Sequence, residues 1–219
     1  MAPLAPRIKF CGITTVQDAQ HAATLGAWAV GLIFWPHSPR RCKLDVAAEI
    51  GATLKRRVEV AGVFVNPTLP EVAETAEAAG LTLIQLHGDE GPVFCAEVAR
   101  RTGARVIKAA RVHSGADIQA LSAYHTDFHL LDSHVPGTPG GTGETFAWEL
   151  ARAHRGHPPL ILSGGLTPEN VAGAVTAVRP YAVDVASGVE ISPGVKDQAR
   201  MAAFATAVAG TADVEGVVA

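Results

Sequence analysis

Short runs of aliphatic and β-branched residues recur along the whole chain, and longer segments with apolar positions three or four apart lie between them. The strand-like runs are Ile8–Cys11, Ala29–Phe34, Val58–Val65, Leu81–Leu86, Arg105–Ala109, Phe128–Asp132, Leu160–Ser163 and Ala182–Ala186. Helical spacing marks Gln17–Leu25, Val46–Lys55, Glu71–Ala79, Pro92–Thr102, Thr145–Ala153, Glu169–Val178 and Asp197–Val208, and more weakly Ala116–Tyr124. Thr68-Leu69-Pro70-Glu71 combines a cap hydroxyl with a Glu three residues on, the pattern of a capping box. Thr167-Pro168-Glu169 predicts a helix with Pro168 at its first position. Alternation without hairpin signals implies a parallel sheet covered by helices. Eight repeats predict an α/β protein, a single-domain (β/α)8 TIM barrel over residues 7–209, with 1–6 and 210–219 as frayed ends. The alternative, an open doubly wound sheet, lacks its GxGxxG fingerprint in the first turn, Cys11-Gly12-Ile13-Thr14-Thr15.

Composition narrows the picture. The 219 residues are 48% hydrophobic and 18% charged, enough apolar surface to offset the entropy of ordering. With 18 basic against 21 acidic residues there is no basic excess, so no nucleic-acid partner is expected. The longest apolar stretch, Ala22–Trp35, falls short of the ~20 residues a membrane span needs, and no membrane partner is expected either. The N-terminus has no basic region followed by an apolar run, so a signal peptide is not expected. Cys11, Cys42 and Cys95 are odd in number and widely spaced, which argues against disulfides and thiolate zinc and for a reduced, cytoplasmic setting. Glycine, 22 residues, exceeds its usual share of about 7%.

That excess concentrates where a parallel barrel does its chemistry, in the loops after the strands. Gly137 to Gly143 follows strand six, Ser163-Gly164-Gly165 strand seven and Ser187-Gly188 strand eight. Bare backbone in these loops lets N–H groups approach an anion, which predicts a small phosphorylated substrate. Tight turns alone would also use glycine there.

The ionisable residues gather at the same ends. Cys11 closes strand one, and alternation puts Lys9 on the same side, so an ammonium is expected to lower the thiol pKa. A lone cysteine is otherwise a small buried hydrophobe. Asp132 closes strand six, where burial would raise its pKa and suit it to donate a proton, or where it would simply cap the loop. Asp184 lies deeper in strand eight, where a structural hydrogen-bonding role fits equally well. Arg40 follows strand two and could hold a carboxylate through two N–H groups. Gln85 and His87 close strand four.

Taken in order, these segments resemble the phosphoribosylanthranilate isomerase family. Lys9-Phe10-Cys11-Gly12-Ile13-Thr14 and Phe34-Trp35-Pro36-His37-Ser38-Pro39-Arg40 are similar to its first two loop motifs. Gln85-Leu86-His87-Gly88, Leu130-Leu131-Asp132, Gly140-Gly141-Thr142-Gly143, Leu162-Ser163-Gly164-Gly165-Leu166 and Asp184-Val185-Ala186-Ser187-Gly188-Val189-Glu190 follow, then Gly194-Val195-Lys196-Asp197. The resemblance implies an Amadori rearrangement in tryptophan biosynthesis, by general acid/base catalysis with no cofactor and no metal. It implies Cys11 as general base, Asp132 as general acid and Arg40 as holder of the anthranilate carboxylate. Gly141, Gly164, Gly165, Ser187 and Gly188 would bind phosphate, and Lys9, Gln85, His87 and Asp184 would line the pocket. Monomers and homodimers are both compatible with this scaffold. Three other activities share the fold: a metal-dependent sugar-phosphate epimerase using His87, Asp132 and Asp184 as ligands, a histidine-pathway aminoaldose isomerase, and a non-catalytic phosphometabolite-binding barrel.

Overall fold

The computed structural model describes residues 5–132, 148–154 and 158–212. The elements run β1 (Arg7–Cys11), α1 (Val16–Thr24), β2 (Ala29–Ile33), α2 (Leu44–Leu54), β3 (Glu59–Phe64), α3 (Leu69–Ala79), β4 (Leu83–Leu86) and α4 (Pro92–Thr102). Then come β5 (Arg105–Arg111), α5 (Gly115–Ala120), β6 (Phe128–Asp132), β7 (Leu160–Ser163), α6 (Val171–Val178), β8 (Ala182–Val185), β9 (Glu190–Ser192), β10 (Val195–Lys196) and α7 (Gln198–Ala209). Each of β1 to β8 pairs in parallel with the next, and β8 closes onto β1 with Lys9 opposite Asp184. The eightfold alternation thus forms a closed (β/α)8 barrel. Residues 148–151 are helical, and the start of the predicted Thr145–Ala153 helix lies outside the described residues.

Strand alternation sorts the core into two layers. Phe10, Leu32, Ile84, Leu131, Leu162 and Val183 face outward and pack against the helices, through residues such as Ile50, Val72, Val98 and Phe204. Ala29, Ala61, Leu83, Ile107, Leu130, Ile161 and Ala182 fill the barrel interior. At the N-terminal end, Trp28, Phe128 and Tyr181 meet with ring centroids 5.3 to 5.7 Å apart and close the floor. The apolar interior and this aromatic floor leave the C-terminal mouth to polar residues.

Helix starts follow local chemistry. The Thr15 side chain accepts from Asp18 N–H at 3.1 Å, and Thr68 and Glu71 form the predicted capping box. The expectation at Pro168 is corrected, because α6 begins at Val171 after a turn. The Asn170 side chain accepts from Thr167 N–H at 2.8 Å and donates to the Gly165 carbonyl at 2.9 Å, so it holds residues 167–170 as a turn. Sequence periodicity also missed the two-stranded ribbon of β9 and β10 after β8. Gly210–Ala212 continues from α7 as a 3-10 turn, and residues 1–4 and 213–219 of the expected frayed ends lie outside the described residues.

Candidate active site

Alternation puts Lys9 and Cys11 on one side, as predicted, and with Ile8 and Phe10 packed outward that side is the barrel interior. Lys9 is fully buried and its Nζ donates to Asp184 Oδ1 at 2.7 Å, while Ser163 Oγ donates to Asp184 Oδ2 at 3.0 Å. Burial alone would pull the Lys9 ammonium down, but the Asp184 carboxylate and Cys11 outweigh it, and its pKa is raised. Gly31 of β2 stands directly opposite Cys11. A Cβ at Gly31 would lie 2.8 Å from Cys11 Sγ and 3.1 Å from Lys9 Nζ, so thiol and ammonium both rest against bare backbone.

The expected lowering of the Cys11 pKa does not hold. Burial pushes the thiol up, and the pull of Lys9 and Lys196, opposed by Asp184, is smaller than that penalty. Burial thus disfavours the thiolate in the free site. Position along the strand identified its neighbour correctly but could not weigh desolvation against it.

Across the mouth, three strand steps from β1, Asp132 ends β6. Its side chain is 24% exposed, so it is not the buried carboxyl that its apolar strand suggested. His87 Nε2 lies 3.4 Å from Asp132 Oδ2, and Gln85 Nε2 lies 3.1 Å from His87 Nδ1. With the amide donating, the His87 proton sits on Nε2 and faces Asp132. Gln85, His87 and Asp132 thus form one chain along the rim. His87, Asp132 and Asp184 do not form a metal-holding group, and no group of three or more His, Cys, Asp or Glu among the described residues does.

Arg40 already holds a carboxylate. Its Nε lies 2.9 Å from both oxygens of Glu190, and Nη2 lies 2.7 Å from Oε2. Lys196, fully buried at its side chain, donates to Glu190 Oε1 at 2.9 Å and to the Ala186 carbonyl at 3.0 Å. Burial would raise the Glu190 pKa, but Arg40 and Lys196 overcome this and leave it lowered. Burial lowers Lys196, with Glu190 and Cys11 working against that fall. Gly12, at φ +73°, lets the Arg40 stem cross its backbone, since a Cβ there would lie 2.9 Å from Arg40 Cδ. Sequence reasoning gave Glu190 and Lys196 no role. Both lie within segments similar to the family's motifs and flank the Gly194 turn, but nothing in the spacing says what they bind.

The glycine loops lie on the same mouth. Gly164 and Gly165 take φ of +91° and +63°, conformations that side chains disfavour. Ser187–Val189 forms a short 3-10 turn after β8, and a Cβ at Gly188 would run into the Leu166 carbonyl oxygen. The two loops are therefore packed backbone to backbone. Gly141, with the rest of the expected loop after β6, lies outside the described residues. Among the described residues no helix is long and apolar enough to cross a membrane.

A closed parallel barrel with a thiol, carboxylates, buried ammonium groups and left-handed glycines around its C-terminal mouth has the layout of a (β/α)8-barrel enzyme. The sequence model for N-(5'-phosphoribosyl)anthranilate (PRA) isomerase matches residues 8–207, and the chain belongs to that family. The N-(5'-phosphoribosyl)anthranilate isomerase of Citrifermentans bemidjiense is 47% identical over 195 residues, covering 89% of this chain and 93% of the relative. The crystal structure of the Thermotoga maritima phosphoribosyl anthranilate isomerase superposes with a TM-score of 0.83 at 40% identity, covering 94% and 99% of the two chains. A structure of such an isomerase in complex with reduced 1-(o-carboxyphenylamino)-1-deoxyribulose 5-phosphate gives a TM-score of 0.80 at 37% identity, again covering 94% and 99%.

Proposed function

We propose that Cys11 and Asp132 are the general base and general acid of the isomerisation at this mouth. The chain converts N-(5-phosphoribosyl)anthranilate to 1-(2-carboxyphenylamino)-1-deoxyribulose 5-phosphate in tryptophan biosynthesis, the reaction of its family. Asp132, as the acid, gives its proton to the furanose ring oxygen. The C1–O bond breaks as the anthranilate nitrogen lone pair forms an iminium. Cys11, as thiolate, takes the proton from C2, and the electron pair becomes the double bond of an enolamine. Transfer of the enol hydroxyl proton to C1 yields the ketone. These three proton transfers leave the sum of atoms and electrons unchanged.

The raised thiol pKa bears on this order of events. Thiolate with carboxylic acid and thiol with carboxylate differ only in where one proton sits. A proton passed from Cys11 to Asp132 would produce the reactive pair with no change in net charge. His87 Nε2, 3.4 Å from Asp132 Oδ2, stands where it can steady the carboxylate that Asp132 becomes once its proton is given up. Arg40 takes the substrate carboxylate, and the Gly164-Gly165 and Ser187-Gly188 loops, with Gly141, take the phosphate. Anchors at both ends hold C1 and C2 between the two proton-transfer groups. The reaction is assigned to the cytoplasm, in keeping with three free, buried thiols.

What carries the assignment is the placement of the Cys11 thiol, set with the Lys9 ammonium against Gly31 on the same mouth as Asp132. The test is kcat for Cys11→Ala and Asp132→Asn, followed by loss of anthranilate fluorescence. Each variant is expected to lose about 10² to 10⁴-fold. Turnover within about threefold of the parent in either variant removes that residue from the mechanism.

A further inference from the structure

Arg40, Glu190 and Lys196 form a cluster whose charges do not cancel. Two cations face one carboxylate, and Glu190 uses only the Nε and Nη2 side of the guanidinium. A guanidinium has five N–H donors, so the Nη1 group and the second Nη2 hydrogen form another edge able to take a carboxylate in bidentate fashion. One more monoanion would bring the cluster to neutrality. The Gly194 N–H donates to Glu190 Oε1 at 3.3 Å, and Thr14 Oγ1 donates to the Gly194 carbonyl at 2.6 Å. The carboxylate is therefore fixed from the loop after β1 as well as from the ribbon. Through the Lys196 bond to Ala186, the same unit reaches the backbone just before Ser187 and Gly188.

We propose that Glu190 is a positioning residue for the isomerisation. It holds the Arg40 guanidinium by one edge so that the other is presented to the substrate's aryl carboxylate, and with Lys196 it ties that end of the site to the loop that holds the phosphate. This rests on the assignment of Arg40 to the substrate carboxylate. Glu190 itself touches no reacting atom. Its removal should weaken recognition of the carboxylate without altering the chemistry between Cys11 and Asp132.

The experiment compares two competitive inhibitors, the reduced product analogue and the same compound lacking the aryl carboxylate. They are titrated against the parent enzyme, Glu190→Gln, Glu190→Asp and Arg40→Met, with thermal unfolding recorded for each. In Glu190→Gln an amide N–H group is brought against the N–H donors of Arg40 and Lys196. The Ki of the carboxylate-bearing analogue should rise about tenfold or more, while that of the other analogue and kcat change less than about threefold. Glu190→Asp should recover part of the difference. Equal weakening of both analogues in Glu190→Gln would mean a merely structural role and overturn the proposal, as would no weakening of either. Loss of carboxylate discrimination in Arg40→Met but not in Glu190→Gln overturns the proposal and leaves the Arg40 assignment standing. Retained discrimination in Arg40→Met overturns both.

Discussion

Gly31→Ala places one methyl group where the barrel has no room for it. Its Cβ would lie 2.8 Å from Cys11 Sγ, 3.1 Å from Lys9 Nζ and 3.2 Å from Cys11 Cα. Relaxed contacts between such atoms are about 3.5 to 4.0 Å, so the thiol must retreat by about 0.7 to 1.2 Å. The contact with Cys11 Cα adds a smaller separation of β1 from β2. Overpacking of this kind costs roughly 1 to 3 kcal/mol of stability. A displacement near 1 Å at a proton-transfer group costs about 10²-fold in rate. We expect kcat to fall about 100-fold in the fluorescence assay, with the Ki of the phosphate-bearing product analogue changed less than about threefold. The new methyl reaches the phosphate loops on β7 and β8 only through the Lys9–Asp184–Ser163 bonds, so they should feel it far less than the thiol does. Gly62→Ala is the control: it lies on β3 in the outward register, where a Cβ would meet the Leu81 and Phe64 side chains. It should lower the urea midpoint without touching kcat. The reasoning is refuted if Gly31→Ala keeps kcat within about threefold of the parent, or if Gly62→Ala loses as much as Gly31→Ala.

Two further outcomes follow from buried charge. Lys9→Met leaves Asp184 buried without its ammonium and should cost about 3 to 5 kcal/mol by urea unfolding, a loss that Lys9→Met with Asp184→Asn should largely recover. His129 Nδ1 lies 3.0 Å from His154 Nε2, and burial holds both imidazoles below their ordinary value of 6.5. The unfolded chain therefore takes up protons that the folded pair refuses, and stability falls as pH drops through that value. Unfolding midpoints at pH 7.5 and 5.5 should fall further apart in the parent than in His154→Gln, and an equal fall in both would rule the pair out as the cause.

Much of the fold was legible because alternation and cap chemistry are local. The Thr68–Glu71 box was readable in four residues, and each barrel strand was found within two residues of its observed ends. The Pro168 helix start was misplaced because the Asn170 side chain, which competes for the Thr167 N–H and the Gly165 carbonyl, does not show itself in periodicity. Lys9 and Cys11 were correctly placed on one face, yet the direction of the thiol pKa depends on burial, which no spacing conveys. Gly31 was silent for a similar reason. A glycine within a strand reads as a weak position until the neighbour it admits is known. Glu190 and Lys196 carried no reading of their own, and only the return of the chain to the loop after β2 gives Glu190 its partner Arg40, 150 residues away.

The same distances bear on synthesis. Lys9 and Asp184 are 175 residues apart, Thr14 and Gly194 are 180 apart, and each pair joins the first strand or its loop to the last. The bonds that assemble the mouth are also the seam that shuts the cylinder. Loop-closure entropy makes such contacts late and slow relative to those between neighbouring strands. A nascent chain that has released its first seven strands from the ribosome still lacks the counter-ion for Lys9 and the carboxylate that aims Arg40. Catalytic competence should arrive late, with the eighth strand and the ribbon that follows it, and give no partly active intermediate before them.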